Sequence, residues 1–127
     1  MTWRILLVED DRFLRRACEV SLRRRGFSVT LAGDGEEALR QVRAERPDLI
    51  LLDLLMPKVT GIEVLRTLRA DPTTKEIPVL ILSNSSREQD FEEIKKLEVS
   101  GYFVKANLSL QELGDQVTRL LEALPHG

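Results

Sequence analysis

The chain is 127 residues long, 43% apolar and 31% charged, with 19 Lys+Arg against 21 Asp+Glu for a formal net charge of -2. That length falls within the roughly 100–200 residues of one domain, and the composition is too apolar for a disordered chain, so residues 1–127 are expected to form a single packed domain. One cysteine, Cys18, and one histidine, His126, exclude an internal disulfide and a His/Cys zinc site, and the charge balance excludes nucleic-acid binding by bulk charge.

No apolar run approaches the roughly 18 residues of a membrane span, and Met1-Thr2-Trp3-Arg4 lacks a signal-peptide layout, which predicts a cytoplasmic protein with no membrane role. Ile5 to Val8 is continuously apolar and reads as a strand buried on both faces. Leu14, Ala17, Cys18, Ser21 and Leu22 follow at helical spacing, and Gly26 stops that helix after Arg23-Arg24-Arg25, cations suited to the negative end of the helix dipole. Phe27 to Leu31, mixing Val with Ser and Thr, predicts a second strand. Asp34 and Glu37 then form a capping box for a helix carrying Ala38, Leu39 and Val42. Pro47 precedes a third strand, Leu49 to Leu52, and Thr60 with Glu63 opens the helix of Val64, Leu65 and Leu68. Pro72 and Pro78 punctuate the loop before a fourth strand, Val79 to Leu82, and Ser85 with Glu88 opens the next helix. Tyr102 to Val104 is the fifth strand, and Ser109 with Glu112 opens a last helix over Leu110 to Leu124, after which Pro125-His126-Gly127 remain. Strand and helix alternate five times with short connections, which predicts an α/β fold, a doubly wound five-stranded parallel sheet.

In such a sheet the strand C-termini share one edge, and the binding crevice forms there. Val8 is followed by Glu9-Asp10-Asp11, Leu52 by Asp53, Leu82 by Ser83 and Val104 by Lys105. Singly, each has a plain structural reading: Asp10 or Asp11 caps a helix, Ser83 ends a strand and Lys105 is a surface cation. Their convergence on one edge points to a site. Glu9, Asp10 and Asp53 within a few ångströms would repel by roughly 4 kcal/mol per close pair at an effective dielectric near 20, and so call for a cation. All-oxygen ligands favour a hard ion, and Mg2+ completed by water and a phosphoryl oxygen fits. With Lys105 as a point charge and Ser83 as a hydroxyl donor, the set suits a phosphoryl group, and Asp53 is the natural nucleophile.

The motifs Ile5-Leu6-Leu7-Val8-Glu9-Asp10-Asp11, Pro47-Asp48 through Asp53 to Met56-Pro57 with Gly61, Leu82-Ser83 and Gly101-Tyr102-Phe103-Val104-Lys105 together resemble the receiver domain of two-component response regulators. The likeness runs from about Trp3 to Leu121. It implies a flavodoxin-like (βα)5 receiver fold in which Asp53 accepts a phosphoryl group from phosphohistidine on a sensor histidine kinase or phosphotransfer protein. It further implies that Asp10 binds Mg2+ directly and Glu9 through water, with the carbonyl of Leu55 as another ligand. Ser83 and Lys105 would hold the phosphoryl oxygens, and Tyr102, otherwise readable as a core residue with its hydroxyl at the surface, would rotate inward as a switch. Asp11 is read as a helix-entry residue, Cys18 and Trp3 as packing. The implied product is a conformational switch acting on a downstream protein, not an enzyme beyond its own phosphorylation and dephosphorylation.

Two departures from the family pattern stand out. Lys105 is followed by Ala106 where the family usually has a cis proline; a cis bond before a non-proline costs about 2.5–4 kcal/mol, so a trans bond and a different loop path are expected. Asn84 replaces a small residue and is expected to restrict access to the phosphoryl group, while Leu55 cannot position an attacking water, which predicts slow self-dephosphorylation. Arg12, Arg15 and Arg16 on the first helix read either as a solvated face or as a surface steering an acidic phosphodonor. The fourth helix is acidic, with Glu88, Asp90, Glu92, Glu93 and Glu98 against Lys95 and Lys96. Ser100 and Gly101 replace acidic residues of the dimerising receivers, so a monomer is expected, acting by binding and without direct contact to nucleic acid. Of the rival readings, a small-molecule aspartyl-phosphate hydrolase needs an aspartate where Leu55 stands, and a flavin carrier needs a phosphate loop where three acids follow Val8. A phosphate-independent interaction module of the same fold remains the alternative.

Overall fold

In a computed structural model that describes residues 2–54, 56, 58–84 and 88–124, with side chains except at 88–91, every apolar run is a strand. The strands are β1 (Arg4–Val8), β2 (Ser28–Ala32), β3 (Leu49–Asp53), β4 (Val79–Ser83) and β5 (Gly101–Val104), separated by helices α1 (Arg12–Arg24), α2 (Gly35–Ala44), α3 (Gly61–Ala70), α4 (Glu88–Lys96) and α5 (Leu110–Glu122). In β3 and β4 the residue added beyond the apolar run is the site residue itself, Asp53 or Ser83. The last helix ends two residues before the expected Leu124. Phe27 falls outside β2 because it belongs to the stop of α1. There Gly26 takes φ +94°, its N–H donates to Arg23 O at 3.0 Å, and the Phe27 N–H donates to Leu22 O at 3.3 Å, a paired closure that only a residue at ease with positive φ completes.

All four strand pairings are parallel, in the order β2-β1-β3-β4-β5. Successive side chains point to opposite faces, and each face is covered, which is why the runs are apolar without alternation. Leu6, Val8, Ile50, Leu52, Val79 and Ile81 pack under Val42 of α2, Leu65 and Leu68 of α3 and Ile94 of α4. Ile5, Leu7, Leu49, Leu51, Leu80 and Leu82 pack under Cys18 and Leu22 of α1 and Leu113, Val117 and Leu121 of α5.

The N-caps form as their spacing predicts: Asp34 accepts from Glu37 N at 2.8 Å, Thr60 from Glu63 N at 3.3 Å and Ser109 from Glu112 N at 3.2 Å. Ser85 lies outside the described residues. α3 is tied to the following loops by Arg69, whose guanidinium donates to Lys75 O, Ile77 O, Leu97 O and Glu98 O at 2.8–3.3 Å. No cis peptide bond occurs among the described residues, so Lys105–Ala106 is trans as expected, and the chain leaves β5 through a single 3-10 turn, Lys105–Asn107.

Candidate functional site

Strand order reverses between β1 and β3: the chain first adds β2 on one side of β1, then β3 on the other. Glu9 and Asp10 leave the end of β1 and Asp53 ends β3, so the acids flank the switch point where ligands bind in open α/β sheets. One carboxylate oxygen from each of Glu9, Asp10 and Asp53 lies within 4.8 Å of the others. Glu9 is 0% exposed and Asp53 1%, whereas Asp10 faces solvent.

Lys105, carried in from β5, bridges the two buried acids, with Nζ 2.7 Å from Glu9 Oε1, 3.0 Å from Glu9 Oε2 and 3.1 Å from Asp53 Oδ2. One ammonium does not balance three carboxylates. Burial first, then the hydrogen bond and negative charge of Glu9 and the hydrogen bond to Asp10, push the Asp53 carboxyl up to about 8, with Lys105 pulling the other way. Burial opposes the charge on Lys105, but its hydrogen bond to Glu9 and the charges of Asp53 and Glu9 win, and its ammonium is held above the usual lysine value. A hard divalent cation fits this donor set: every ligand is oxygen, the excess charge is negative, and the exposed Asp10 leaves an open side for water.

Ser83 is buried at the end of β4, paired in register with Val104, which places it next to the strand that delivers Lys105. Asn84, one residue on, is exposed. Tyr102 is half-buried against the cluster under α2, α3 and α4. Asp11 caps α1, accepting from Phe13 N and Leu14 N at 2.9 and 3.2 Å, which is the helix-entry role expected of it. Cys18 is fully buried, and burial together with the charge of Glu9 pushes its thiol up to about 11, the signature of a packing residue and not a reactive one. Leu55 lies outside the described residues.

The sequence reading named Gly61 only as part of a motif and Arg15 only as part of a charged face, and the structure gives each a contact at the site. Gly61 opens α3 directly behind Asp53: a Cβ there would fall inside contact distance of the Asp53 carbonyl oxygen and 2.6 Å from Leu54 Cα. Its N–H also donates to Leu54 O at 3.0 Å, so the strand end and the helix start are pressed together where the carboxylate emerges. Arg15, read above as part of a solvated or steering face, is half-buried and its Nη1 donates to Glu9 O at 3.0 Å, a contact neither reading contained. Only the three-dimensional path of the β1–α1 turn reveals that contact.

The sequence model of the response regulator receiver domain matches residues 5–118. The chain belongs to that family. It is 39% identical over 119 residues to the response regulator MprA of Mycobacterium leprae, a match covering 93% of this chain and 50% of that protein. The chain thus spans about half the length of the curated relatives it matches. Its fold is similar to that of the phosphorylated cyanobacterial phytochrome response regulator RcpA, with 37% identity, TM-score 0.82 and coverage of 96% of this chain and 93% of that one. It is similar also to the Mn2+-bound form of response regulator Rcp1, with 29% identity, TM-score 0.87 and coverage of 98% and 99%.

Proposed function

We propose that this protein is a phosphoacceptor: Asp53 takes a phosphoryl group from a phosphohistidine on a sensor histidine kinase or phosphotransfer protein, and the aspartyl phosphate switches binding to a downstream protein. The observation that carries the reading is the burial of Asp53 between two further carboxylates and the ammonium of Lys105 at the switch point of the sheet. A phosphorylated and a Mn2+-bound relative of the same fold support it.

Asp10 and Asp53 directly, and Glu9 through water, would hold Mg2+, which would supply positive charge for the incoming phosphoryl oxygens. The chain's own residues do the rest. An Asp53 oxygen attacks phosphorus, the P–N bond to the donor imidazole breaks, and the electron pair leaves with the imidazole nitrogen. Lys105 exchanges part of its pairing with Asp53 for a phosphoryl oxygen, and the Ser83 hydroxyl donates to another. The new dianion then biases Ser83, and with it Tyr102, toward a second arrangement. No enzymatic activity beyond the domain's own phosphorylation and dephosphorylation is assigned, and residues 1–127 act as one receiver domain in the cytoplasm, a monomer at rest. Among the described residues no helix is long and apolar enough to cross a membrane.

The donor's approach is served by a groove between α1 and α5, lined by Phe13, Arg16, Ala17, Val20 and Leu110. Phe13 at its mouth is 90% exposed, an apolar anchor beside basic residues.

Intact mass after incubation with acetyl phosphate or phosphoramidate, with and without Mg2+, tests the proposal. One Mg2+-dependent adduct absent from Asp53→Asn is expected. No adduct from either donor, with Mg2+ shown to bind, would point to a donor-selective or phosphate-independent interaction module instead.

A further inference from the structure

We infer that Arg15 is a positioning residue for the cation site, fixing Glu9 through its main chain, and that the lack of a side chain at Gly33 leaves that guanidinium uncrowded. The inference rests on the reading of Glu9, Asp10 and Asp53 as a divalent-cation site.

Glu9 stands at the point where the chain stops being β1 and turns toward α1. Its N–H still donates to Ala32 O of β2 at 3.0 Å, extending the ladder by one residue. Its carbonyl has left the sheet and takes Arg15 Nη1 at 3.0 Å. Arg15 is itself set by the helix, with its N–H donating to Asp11 O at 2.9 Å, and Asp11 N in turn reaches Glu9 Oε2 at 3.2 Å. Both main-chain polar groups of Glu9 are thus held from different elements, which fixes the backbone from which the buried carboxylate reaches toward Asp10 and Asp53.

Gly33 follows β2 and faces this contact. A Cβ added there would stand 3.1 Å from Arg15 Nη1, the one neighbour it would meet. Gly33 does not adopt the left-handed backbone that favours glycine, so an added methyl group would act by crowding the guanidinium, which would have to give by a few tenths of an ångström. Among the described residues no carboxylate ion-pairs with Arg15, whereas Arg16 and Arg23 on the same helix both pair with Glu19. Arg15 therefore serves as a hydrogen-bond donor to a carbonyl of the site.

Charge and positioning predict opposite signs, which makes the inference decidable. Removing a positive charge near three carboxylates strengthens cation binding by Coulomb's law. Removing the group that orients a ligand weakens it, typically by 10–100-fold for residues that support metal ligands. The experiment is calorimetric titration of the full chain with Mg2+ for the parent, Arg15→Ala, Gly33→Ala and the double variant, with circular dichroism to establish that each is folded.

The expected result is a Mg2+ dissociation constant raised about tenfold in Arg15→Ala. A smaller rise is expected in Gly33→Ala, which keeps the charge but crowds the guanidinium, with the double variant no weaker than Arg15→Ala because both act through one contact. An Arg15→Ala protein that binds Mg2+ as tightly as the parent or more tightly overturns the inference, as does an unaltered Gly33→Ala. If Arg15→Ala does not fold, Gly33→Ala decides alone. A parent that binds no Mg2+ overturns the cation-site reading, and the inference falls with it; a parent that binds while the variants match it overturns the inference only.

Discussion

Lys105 Nζ stands 3.1 Å from Asp53 Oδ2, a strand end of β5 reaching across β4 to the strand end of β3. The ammonium lowers the cost of ionising Asp53, yet burial and Glu9 outweigh it, and the carboxyl keeps its proton up to about 8 instead of the ordinary 3.8. With a folded value above the unfolded one, stability is present at low pH and is lost as pH rises between those values. In EDTA the urea midpoint is therefore expected to fall from about pH 5 to about pH 8, and Asp53→Asn to flatten the dependence. A midpoint that rises over that range, or an unchanged slope in the variant, would contradict this electrostatic account.

Saturating Mg2+ stabilises whatever state binds it. At pH 8 it is expected to raise the parent's melting temperature and to do so less in Asp10→Asn and Asp53→Asn. An equal shift in all three proteins would place the ion elsewhere.

Gly61→Ala tests the contact behind Asp53. The added methyl group has no room against the Asp53 carbonyl oxygen and Leu54 Cα, which are backbone and cannot swing aside. A loss of about 2 kcal/mol or more in chemical denaturation is expected, within the range for overpacking a tight site, together with slower phosphorylation. Wild-type stability would show that the turn relaxes freely.

Arg69→Ala removes the donor to four carbonyls in two loops. Charged hydrogen bonds contribute about 1.5–3 kcal/mol each when buried and less when exposed, so a total loss of about 2–3 kcal/mol is expected. Arg69→Lys should recover only part of it, because an ammonium cannot reproduce the fork. Full recovery by lysine would show that charge alone matters there.

Much of this was legible in the chain, and the reason differs by residue. The strands could be read because burial on both faces demands unbroken apolar runs, and the site because Glu9, Asp53, Ser83 and Lys105 each sit one residue beyond such a run. The caps Asp34, Thr60 and Ser109 are local chemistry within three residues and formed as read. The contact of Arg15 with Glu9 could not be read because it depends on the path of a turn, and Gly33 and Gly61 carry a signal, the lack of a side chain, whose meaning depends on what packs against it. Arg69 bonds main-chain carbonyls up to 29 residues away, and no spacing rule points to them.

If Asp53 is phosphorylated, the side chains that follow Asp53 and Ser83 are expected to set how long the product lasts. Leu55 has no polar group to orient an attacking water, and Asn84, one residue after Ser83, is exposed. Leu55→Asn and Asn84→Ala are expected to shorten the phosphorylated half-life. Radiolabel decay unaffected by either substitution would remove that explanation of slow hydrolysis.

The central claim is that Asp53, and no neighbouring acid, is the phosphoacceptor. Reduction of the phosphorylated protein with borohydride converts an aspartyl phosphate to homoserine, which peptide sequencing by mass spectrometry locates. The account predicts homoserine at position 53 alone, formed only after incubation with phosphodonor and Mg2+. Homoserine at Asp10, a reduced glutamyl phosphate at Glu9, or no reduced residue in a protein that carries the phosphoryl mass, would contradict it.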